Sequence, residues 1–360
     1  MPPAVVLVTG VSRHLGGRLA ALLAADPAIE RVIGVDTVPP PRDLGLGRTE
    51  FVRADIRNPL IAKVIATARV DTVVHLNITA LPRSAGGRAS MKEMNVIGTM
   101  QLLAACQKSA SVERLVVKSS TAVYGSSSRD PALFTEETEP KSLPRAGYAK
   151  DAVEVEGYVR GFARRRPDVS VGVLRFTDVI GPGADSLLLR YLRLPVVPTV
   201  LGFDPRVQLL HADDALEVLR RATLAGRPGT VNVGGEGVLL LSQMVRRAGR
   251  VPVPVPSSAV QVAGRAVRRA GLLDFSREQL EFLEFGRVVD ITRLRTEFGY
   301  RPRYDTVRAF DDVIKHRGLT MRVQPAVVRR AESRILGAVR AAAAVRSAAA
   351  GAAAAGSRDG

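Results

Sequence analysis

A glycine turn and one downstream acid carry the first chemistry that the sequence suggests. The stretch "LVTGVSRHLGG" (7–17) ends an apolar run and opens a helical pattern, and Asp36 ends the next apolar run, 26 residues after Gly10. Strand, glycine turn, helix, strand and acid in this order form a fingerprint for dinucleotide binding. The carboxylate accepts hydrogen bonds from the adenosine ribose hydroxyls of NAD and repels the 2′-phosphate of NADP. The sequence therefore favours NAD, although it does not exclude NADP.

Short apolar runs and helical patterns alternate through the first half of the chain, and they must position the turn and the acid. Strands are predicted at 4–10, 31–36, 49–56, 71–78, 114–120 and 169–176, and helices at 14–26, 91–109 and 148–165. Continuous Val, Ile and Leu strands between helices predict an α/β fold, a Rossmann-type doubly wound parallel sheet with helices on both faces. Ligands of such sheets bind at the carboxyl ends of the strands.

The chain divides by composition into three predicted regions. Residues 1–180 form the dinucleotide-binding domain, and residues 181–320, where prolines cluster, form a smaller α+β substrate-binding region. Residues 321–360 are a low-complexity tail rich in Ala and Arg. The tail fits either a frayed, solvated segment or a basic amphipathic helix that contacts a membrane surface or a partner protein.

Composition narrows the classes of function. The net charge is +17, but Arg supplies 45 of the 52 basic residues, a skew that a GC-rich genome produces. No basic segment is interleaved with aromatic residues, so nucleic acid is not the expected partner. No apolar run reaches membrane-spanning length and no basic segment precedes the first strand, so neither a membrane span nor a signal peptide is expected.

The cysteine and histidine residues limit which disulfides and metal sites the chain can form. The single cysteine, Cys106, excludes a disulfide framework and fits the reducing cytoplasm. The four histidines lie far apart in the sequence, and no pair has the spacing of metal ligands, so no metal site is predicted.

A series of short motifs, in order, runs from residue 5 to about 315. They are "TGVSRHLG", Asp36, "ADI" (54–56), "VVHL" (73–76), "NVIGT" (95–99), "SSTAVYG" (119–125), Tyr148, "LRFTDVIGPG" (174–183), "LLHADDAL" (209–216), "VNVGG" (231–235) and "TRLRTEFGYRP" (292–302). Each motif alone is unspecific. Together, their order and spacing resemble the extended branch of the short-chain dehydrogenase/reductase superfamily, the NAD-dependent epimerase/dehydratase family, with UDP-glucose 4-epimerase-like proteins as the nearest relatives.

The resemblance implies a mechanism and a set of site residues. Ser120 and Tyr148 would be catalytic, with the tyrosine as the base while NAD takes a hydride from a nucleotide-sugar or related hydroxyl compound. The cofactor contacts would be Gly10, Arg13, Gly16, Asp36, Asp55, Ile56, Leu76 and Asn95. The substrate contacts would be Asp178, Arg206 and His211. A homodimer through the helices at 91–109 and 148–165 is also implied.

The sequence departs from the family at the lysine that lowers the pKa of the tyrosine. Four residues after Tyr148 the chain has Ala152. Lys150 is only two residues after the tyrosine, a rotation of about 200° on a helix, and points away from it. A free tyrosine has a pKa of ~10 and is a poor base at neutral pH. The proton-transfer site has therefore lost its electrostatic support, or another Lys or Arg reaches it from elsewhere in the chain.

Further departures surround the same cleft. The family pattern TGxxGxxG requires glycine where the chain has Arg13, and the TGxxxGxG pattern of the compact branch requires it at His14. Arg13 is expected against the cofactor phosphates or paired with Asp36. Asn77-Ile78 replaces two small residues, Asp178 replaces an asparagine, and Val207 takes the place of an arginine that holds phosphate.

Three hypotheses follow. The first is an NAD(P)-dependent epimerase, dehydratase or reductase. The second is a catalytically weak or inactive NAD(P)-binding sensor or regulatory protein on the same scaffold. The third is an interaction protein that has lost the cofactor and uses its basic tail.

Overall fold

A seven-stranded parallel sheet forms the centre of the molecule. The computed structural model describes residues 3–80, 87–139, 144, 146–194, 196–256 and 277–317. The strands of this sheet are β1 (Val5–Thr9), β2 (Arg31–Asp36), β3 (Glu50–Arg53), β4 (Thr72–His75), β5 (Arg114–Ser120), β6 (Ser170–Phe176) and β11 (Gly229–Val233). All of their pairings are parallel. The Rossmann-type fold predicted from the sequence is confirmed.

The strand order in the sheet is β3-β2-β1-β4-β5-β6-β11. The order reverses between β1 and β4, and in open parallel sheets ligands bind at such a reversal, outside the carboxyl ends of the strands. The topology therefore directs a ligand to the turn after β1 and to the ends of β4, β5 and β6.

Helices cover both faces of the sheet. The α-helices are α1 (His14–Ala25), α2 (Leu60–Thr67), α3 (Gly87–Lys92), α4 (Gly98–Lys108), α5 (Gly147–Arg165), α6 (Leu187–Leu192), α7 (Ala212–Ala225), α8 (Leu241–Arg247), α9 (Arg277–Phe285), α10 (Thr292–Thr296) and α11 (Thr306–Arg317). A π-helical turn, Glu93–Ile97, joins α3 to α4, and 3₁₀ turns occupy Arg42–Leu44 and Thr121–Tyr124. In the described part of the chain, no helix is long and apolar enough to cross a membrane.

The strands are continuous apolar runs because both faces of the sheet are covered by helices. Val116 belongs to a core cluster that includes Leu19 of α1 and Leu219 of α7. Its neighbour Val117 belongs to a second cluster that includes Leu102 of α4 and Val159 of α5. Successive strand residues face opposite sides of a sheet, so a strand covered on both faces must be apolar at every position.

The second half of the chain builds a smaller region beside the sheet. It contains three two-stranded pairings, made by β7 (Asp178–Ile180) with β10 (Leu209–His211), β8 (Val196–Val200) with β13 (Val251–Val255), and β9 (Arg206–Val207) with β12 (Leu239–Leu240). This region has its own apolar core. Strand β11 follows the predicted boundary at 180 but extends the central sheet, because α7 returns the chain to the edge strand β6. The tail at 321–360 lies outside the described residues.

Candidate functional site at the carboxyl ends of the strands

The turn after β1 needs two of its glycines. Gly10 has φ +78°, a left-handed conformation that glycine adopts without strain. A Cβ on Gly16 would lie 2.2 Å from the carbonyl oxygen of Gly10. These two positions hold α1 tightly against the end of β1.

At Arg13, where the family pattern has its middle glycine, the backbone conformation does not require a glycine. Arg13 has φ −102° and ψ 152°, an extended conformation open to any residue, and it is the N-cap residue of α1. Its Nη1 donates a hydrogen bond to Oγ1 of Thr79, 3.1 Å away. The next side chain, His14, packs against Gly183, where an added Cβ would lie 2.3 Å from the imidazole. Arg13 and His14 therefore add side chains to the turn without distorting it.

Asp36 sits at the carboxyl end of β2, next to the turn. Its carboxylate accepts hydrogen bonds from the backbone N–H of Ser12 at 3.1 Å and of Thr37 at 2.8 Å, and the side chain is buried. This is the place of the ribose-binding acid in dinucleotide folds.

A cleft of about 520 Å³ opens at the ends of the strands. Its size is in the usual range for small-molecule sites. The lining residues include Ser12, Arg13, His14 and Gly16 from the turn, Leu76, Ile78 and Thr79 after β4, Lys118 and Ser120 from β5, Tyr148 from α5, and Phe176, Asp178, Gly183 and Arg190 beyond β6. The cleft thus connects the glycine turn to both predicted catalytic residues.

Ser120 and Tyr148 lie close together in the cleft wall. Ser120 ends β5 and Tyr148 is the second residue of α5. Burial raises the pKa of Tyr148 above its usual range, and the carboxylates of Glu278, Asp178 and Asp151 raise it further, against the opposing effect of the nearby Ser120 hydroxyl. At neutral pH the tyrosine is therefore protonated.

Neither candidate position on α5 supplies a cation to this tyrosine. Ala152 is fully buried and belongs to the core cluster of α1 and α7. Lys150 is exposed and pairs with Glu154 at 3.7 Å. The outward direction of Lys150 agrees with its helical spacing.

A lysine that the sequence reasoning did not single out lines the cleft instead. Lys118 lies on β5, two residues before Ser120. Burial lowers the pKa of Lys118 to about 8, and the charge of Arg13 contributes to this shift. A charged residue near the carboxyl end of an otherwise apolar parallel strand was the signal that could have found it.

A second cavity of about 110 Å³ adjoins Ser120 and Tyr148 and is lined mostly by apolar side chains. Asp178 lines both cavities, and burial raises the pKa of its carboxyl group while Arg287 opposes the shift. Arg287, also not singled out from the sequence, donates to the carbonyl oxygen of Gly125 at 2.8 Å and to Oγ of Ser126 at 3.2 Å. The wall beyond Tyr148 thus combines acids with one arginine.

The remaining predicted cofactor residues lie in different places. Leu76 lines the cleft. Asp55 pairs with Arg57 at 2.6 Å, and Ile56 is buried against Gly98. Neither is among the residues that line the cleft.

Asn95 is fully buried and acts on the loop after β4. Its side-chain amide bonds both the backbone N–H and the carbonyl oxygen of Thr79, each at 3.0 Å, and donates to Asp151 at 3.1 Å. Asn95 therefore holds the residue that receives the hydrogen bond of Arg13.

Two predicted substrate residues point away from the cleft. Arg206 is exposed and donates to the carbonyl oxygen of Ala132, because its neighbour Val207 takes the buried side of β9. His211 is buried, caps α7 by accepting from the N–H of Asp213, and stacks on Tyr304 at 3.9 Å. The structure thus gives His211 a packing role.

No group of three His, Cys, Asp or Glu side chains is arranged to hold a metal ion within the described ranges.

Residues 6–234 match the model of the NAD dependent epimerase/dehydratase family. The chain belongs to this family.

Relatives of this chain occur in bacteria and in a plant. Uncharacterized proteins of Mycobacterium tuberculosis and Mycobacterium bovis are 52% identical over 337 residues, covering 93% of this chain and 90% of theirs. UDP-glucose 4-epimerase 2 of Oryza sativa subsp. japonica is 30% identical over 231 residues, covering 58% of this chain and 55% of its own.

Solved structures share the fold at low identity. A UDP-glucose 4-epimerase of Thermotoga maritima, solved with UDP-glucose, matches with a TM-score of 0.68 and 18% identity, covering 88% of this chain and 99% of its own. A dTDP-glucose 4,6-dehydratase of Bacillus anthracis, solved with NAD, matches with a TM-score of 0.67 and 18% identity, covering 88% and 97%.

Proposed function

We propose that this family member binds NAD in the cleft and acts on a nucleotide-sugar or related hydroxyl compound by reversible hydride transfer. The observation that carries the proposal is the placement of Ser120 and Tyr148 together where the large cleft meets the small cavity. We propose that both hydroxyls contact the same oxygen atom of a bound ligand.

The residues around the turn fit a dinucleotide. Gly10 and Gly16 keep the backbone close to the end of β1, and Asp36 offers a carboxylate to ribose hydroxyls. The negative charge of Asp36 favours NAD over NADP. When bound, the nicotinamide ring accepts or supplies the hydride.

The pair itself handles the proton. Tyr148, protonated at neutral pH, donates a hydrogen bond to the carbonyl oxygen of a keto compound and gives up its proton as the hydroxyl forms. Ser120 lies beside the tyrosine hydroxyl. The opposite direction needs the tyrosinate, which burial and three carboxylates disfavour. We infer that the chain favours carbonyl reduction over alcohol oxidation at neutral pH.

The proposed substrate rests on the relatives. Their names specify UDP-glucose and dTDP-glucose chemistry. In this chain Asp178 and Arg287 lie next to the pair, and we propose that Asp178 meets sugar hydroxyls there.

A second candidate function is a dinucleotide-binding sensor or regulator with little or no turnover. Ala152 favours it, because no lysine of α5 lowers the pKa of Tyr148. This candidate predicts NAD binding without chemistry.

A homodimer in the cytoplasm completes the proposal. Helices α4 and α5 pack together, and each carries an exposed apolar side chain, Met100 and Tyr158 respectively. Truncation before residue 321 tests whether residues 321–360 contact a membrane surface or a partner protein.

Turnover assays test the proposed function. Purified protein is incubated with NAD or NADH and a panel of UDP- and dTDP-sugars and their 4-keto forms, and nicotinamide absorbance and sugar products are measured. We expect turnover in the wild type and a loss of at least 100-fold in Tyr148→Phe. The control is Tyr158→Phe, which removes a hydroxyl from an exposed position of the same helix. NAD binding with equal, negligible turnover in wild type and Tyr148→Phe would favour the sensor instead.

A further inference from the structure

Lys118 faces the cleft because of strand alternation. Its neighbour Ser119 points to the α5 side, where its hydroxyl donates to Glu156 at 2.6 Å. Lys118 and Ser120 therefore share the opposite side of β5, and both line the cleft. The lysine lies on the wall between the glycine turn and the catalytic pair.

The ammonium group of Lys118 has no hydrogen bond or ion pair with any residue that the structure describes. The charge that acts on it is that of Arg13, which is repulsive. His75 on the adjacent strand is neutral at working pH, since burial lowers its pKa to about 3 while its ring bonds Thr9 and Thr99. A half-buried cation without a counter-charge is costly, and an anion in the cleft would compensate for it.

Arg13 brings a second cation and a helix end to the same place. It is the N-cap of α1, a helix of 12 residues with no acid in its first turn. The N-terminus of a helix attracts anions through its free N–H groups and its dipole. Arg13, Lys118 and the start of α1 thus supply positive potential to one end of the cleft.

We propose that Lys118 and Arg13 bind the diphosphate group of the ligand between them. The inference rests on the proposed binding of NAD, and it names a residue of this chain that takes over from the missing middle glycine. In the family pattern that glycine lets the backbone approach the diphosphate. In this chain Arg13 stands at that place and carries a Cβ. The side chains of Lys118 and Arg13 supply positive charge to the diphosphate instead.

The proposal separates Lys118 from the lysine missing at Ala152. The strongest charges on Tyr148 are those of Glu278, Asp178 and Asp151, which all raise its pKa. Lys118 instead shares its electrostatic environment with Arg13. Its expected effect is on binding of anions, with no restoration of the tyrosine as a base.

Calorimetric titration with four probes tests the proposal. Adenosine, ADP, NAD and inorganic diphosphate are titrated into the wild type, Lys118→Met, Lys118→Arg and the control Lys150→Met, which removes an exposed lysine of α5. We expect Lys118→Met to weaken ADP, NAD and inorganic diphosphate by about 10- to 100-fold, the effect of a lost charge-assisted hydrogen bond. Adenosine binding stays unchanged, Lys118→Arg retains most of the affinity, and Lys150→Met matches the wild type.

Other outcomes overturn the proposal in distinguishable ways. A loss for NAD alone, with ADP unchanged, would move Lys118 to the nicotinamide end. An equal loss for adenosine would mean that Lys118 merely supports the cleft, and tighter binding in Lys118→Met would mean that it obstructs the ligand. If the wild type binds inorganic diphosphate but not NAD, the proposed function fails and this inference survives; if it binds neither, both fail.

Discussion

The two ends of the cleft differ in charge. At the turn, Arg13 and Lys118 line the wall beside the start of α1. At Ser120 and Tyr148, the tyrosine lies near three carboxylates, and the position of the expected lysine is the buried Ala152. The comparison teaches that one end of the cleft carries positive charge, as the proposed anionic cofactor requires, while the other end surrounds Tyr148 with negative charge where the family places a lysine.

The largest effect is expected from a substitution in the glycine turn, at one end of the cleft. In Gly16→Ala the new Cβ lies 2.2 Å from the Gly10 carbonyl oxygen, so α1 must shift. We expect the free energy of unfolding to fall by about 3 kcal/mol or more, with loss of NAD binding. Urea denaturation measures the first and calorimetry the second.

A glycine of α5 provides the control for that change. A Cβ on Gly157 meets only the end of the Arg160 side chain, at 4.0 Å. Gly157→Ala should stabilise the protein by about 0.5–1 kcal/mol through helix propensity. An equal, small effect of both substitutions would show that the turn is not tightly packed.

The next largest effect is expected at the other end of the cleft, beside Tyr148. Ala152→Lys puts an ammonium group on the Tyr148 face of α5, and it should lower the pKa of Tyr148 and raise the rate of alcohol oxidation at pH 7 by about 10-fold or more. Burying the lysine should also lower the free energy of unfolding by about 1–3 kcal/mol. The rate is measured under single-turnover conditions with NAD.

Ala152→Met is the matched control, because it adds similar bulk without charge. The comparison between the two ends would lose its basis if Ala152→Met raised the oxidation rate as much as Ala152→Lys, because packing rather than charge would then limit the tyrosine.

The effect that is smallest at neutral pH lies beneath the cleft. Burial lowers the pKa of His75 from 6.5 in the unfolded chain to about 3. Between these values the unfolded chain binds more protons, so stability is lost as pH falls from 6.5 towards 3, by at most about 1.4 kcal/mol per pH unit from this residue. Denaturation of His75→Gln should show a weaker pH dependence than the wild type, whereas His316→Gln, at an exposed position, should retain it. An unchanged slope in His75→Gln would show that the ring is not held neutral.

The fold could be predicted because its signal is local and repeated. Runs such as "RVIGVD" (31–36) and "RLVVKSS" (114–120) are apolar enough to be covered on both faces, and the predicted strands match β2 and β5. The conformational roles of Gly10 and Gly16 also followed from the sequence, since a turn between strand and helix demands them.

The site was predicted less completely, because charge pairing depends on contacts distant in sequence. Lys118 reaches the cleft wall through the register of β5, and Arg287 reaches the small cavity through the chain after α9, which no motif reveals. Arg206 and His211 were selected from family motifs, but the pleat of β9 and the capping of α7 turn them elsewhere. The pKa of Tyr148 depends on Glu278, which is 130 residues away along the chain.

The most direct test measures both ends of the cleft in one pH series. NAD affinity and the single-turnover rate of alcohol oxidation are recorded from about pH 6 to 9, with the best substrate of the sugar panel. The charged and titratable groups around the two sites are Arg13, His14, His75, Lys118, Tyr148, Asp151, Asp178, Asp185, Arg190, Glu278 and Arg287. Affinity should fall above about pH 8 as Lys118 loses its proton, while the rate rises throughout without a plateau as tyrosinate forms. Constant affinity, together with a rate that levels off below pH 8, would contradict the account.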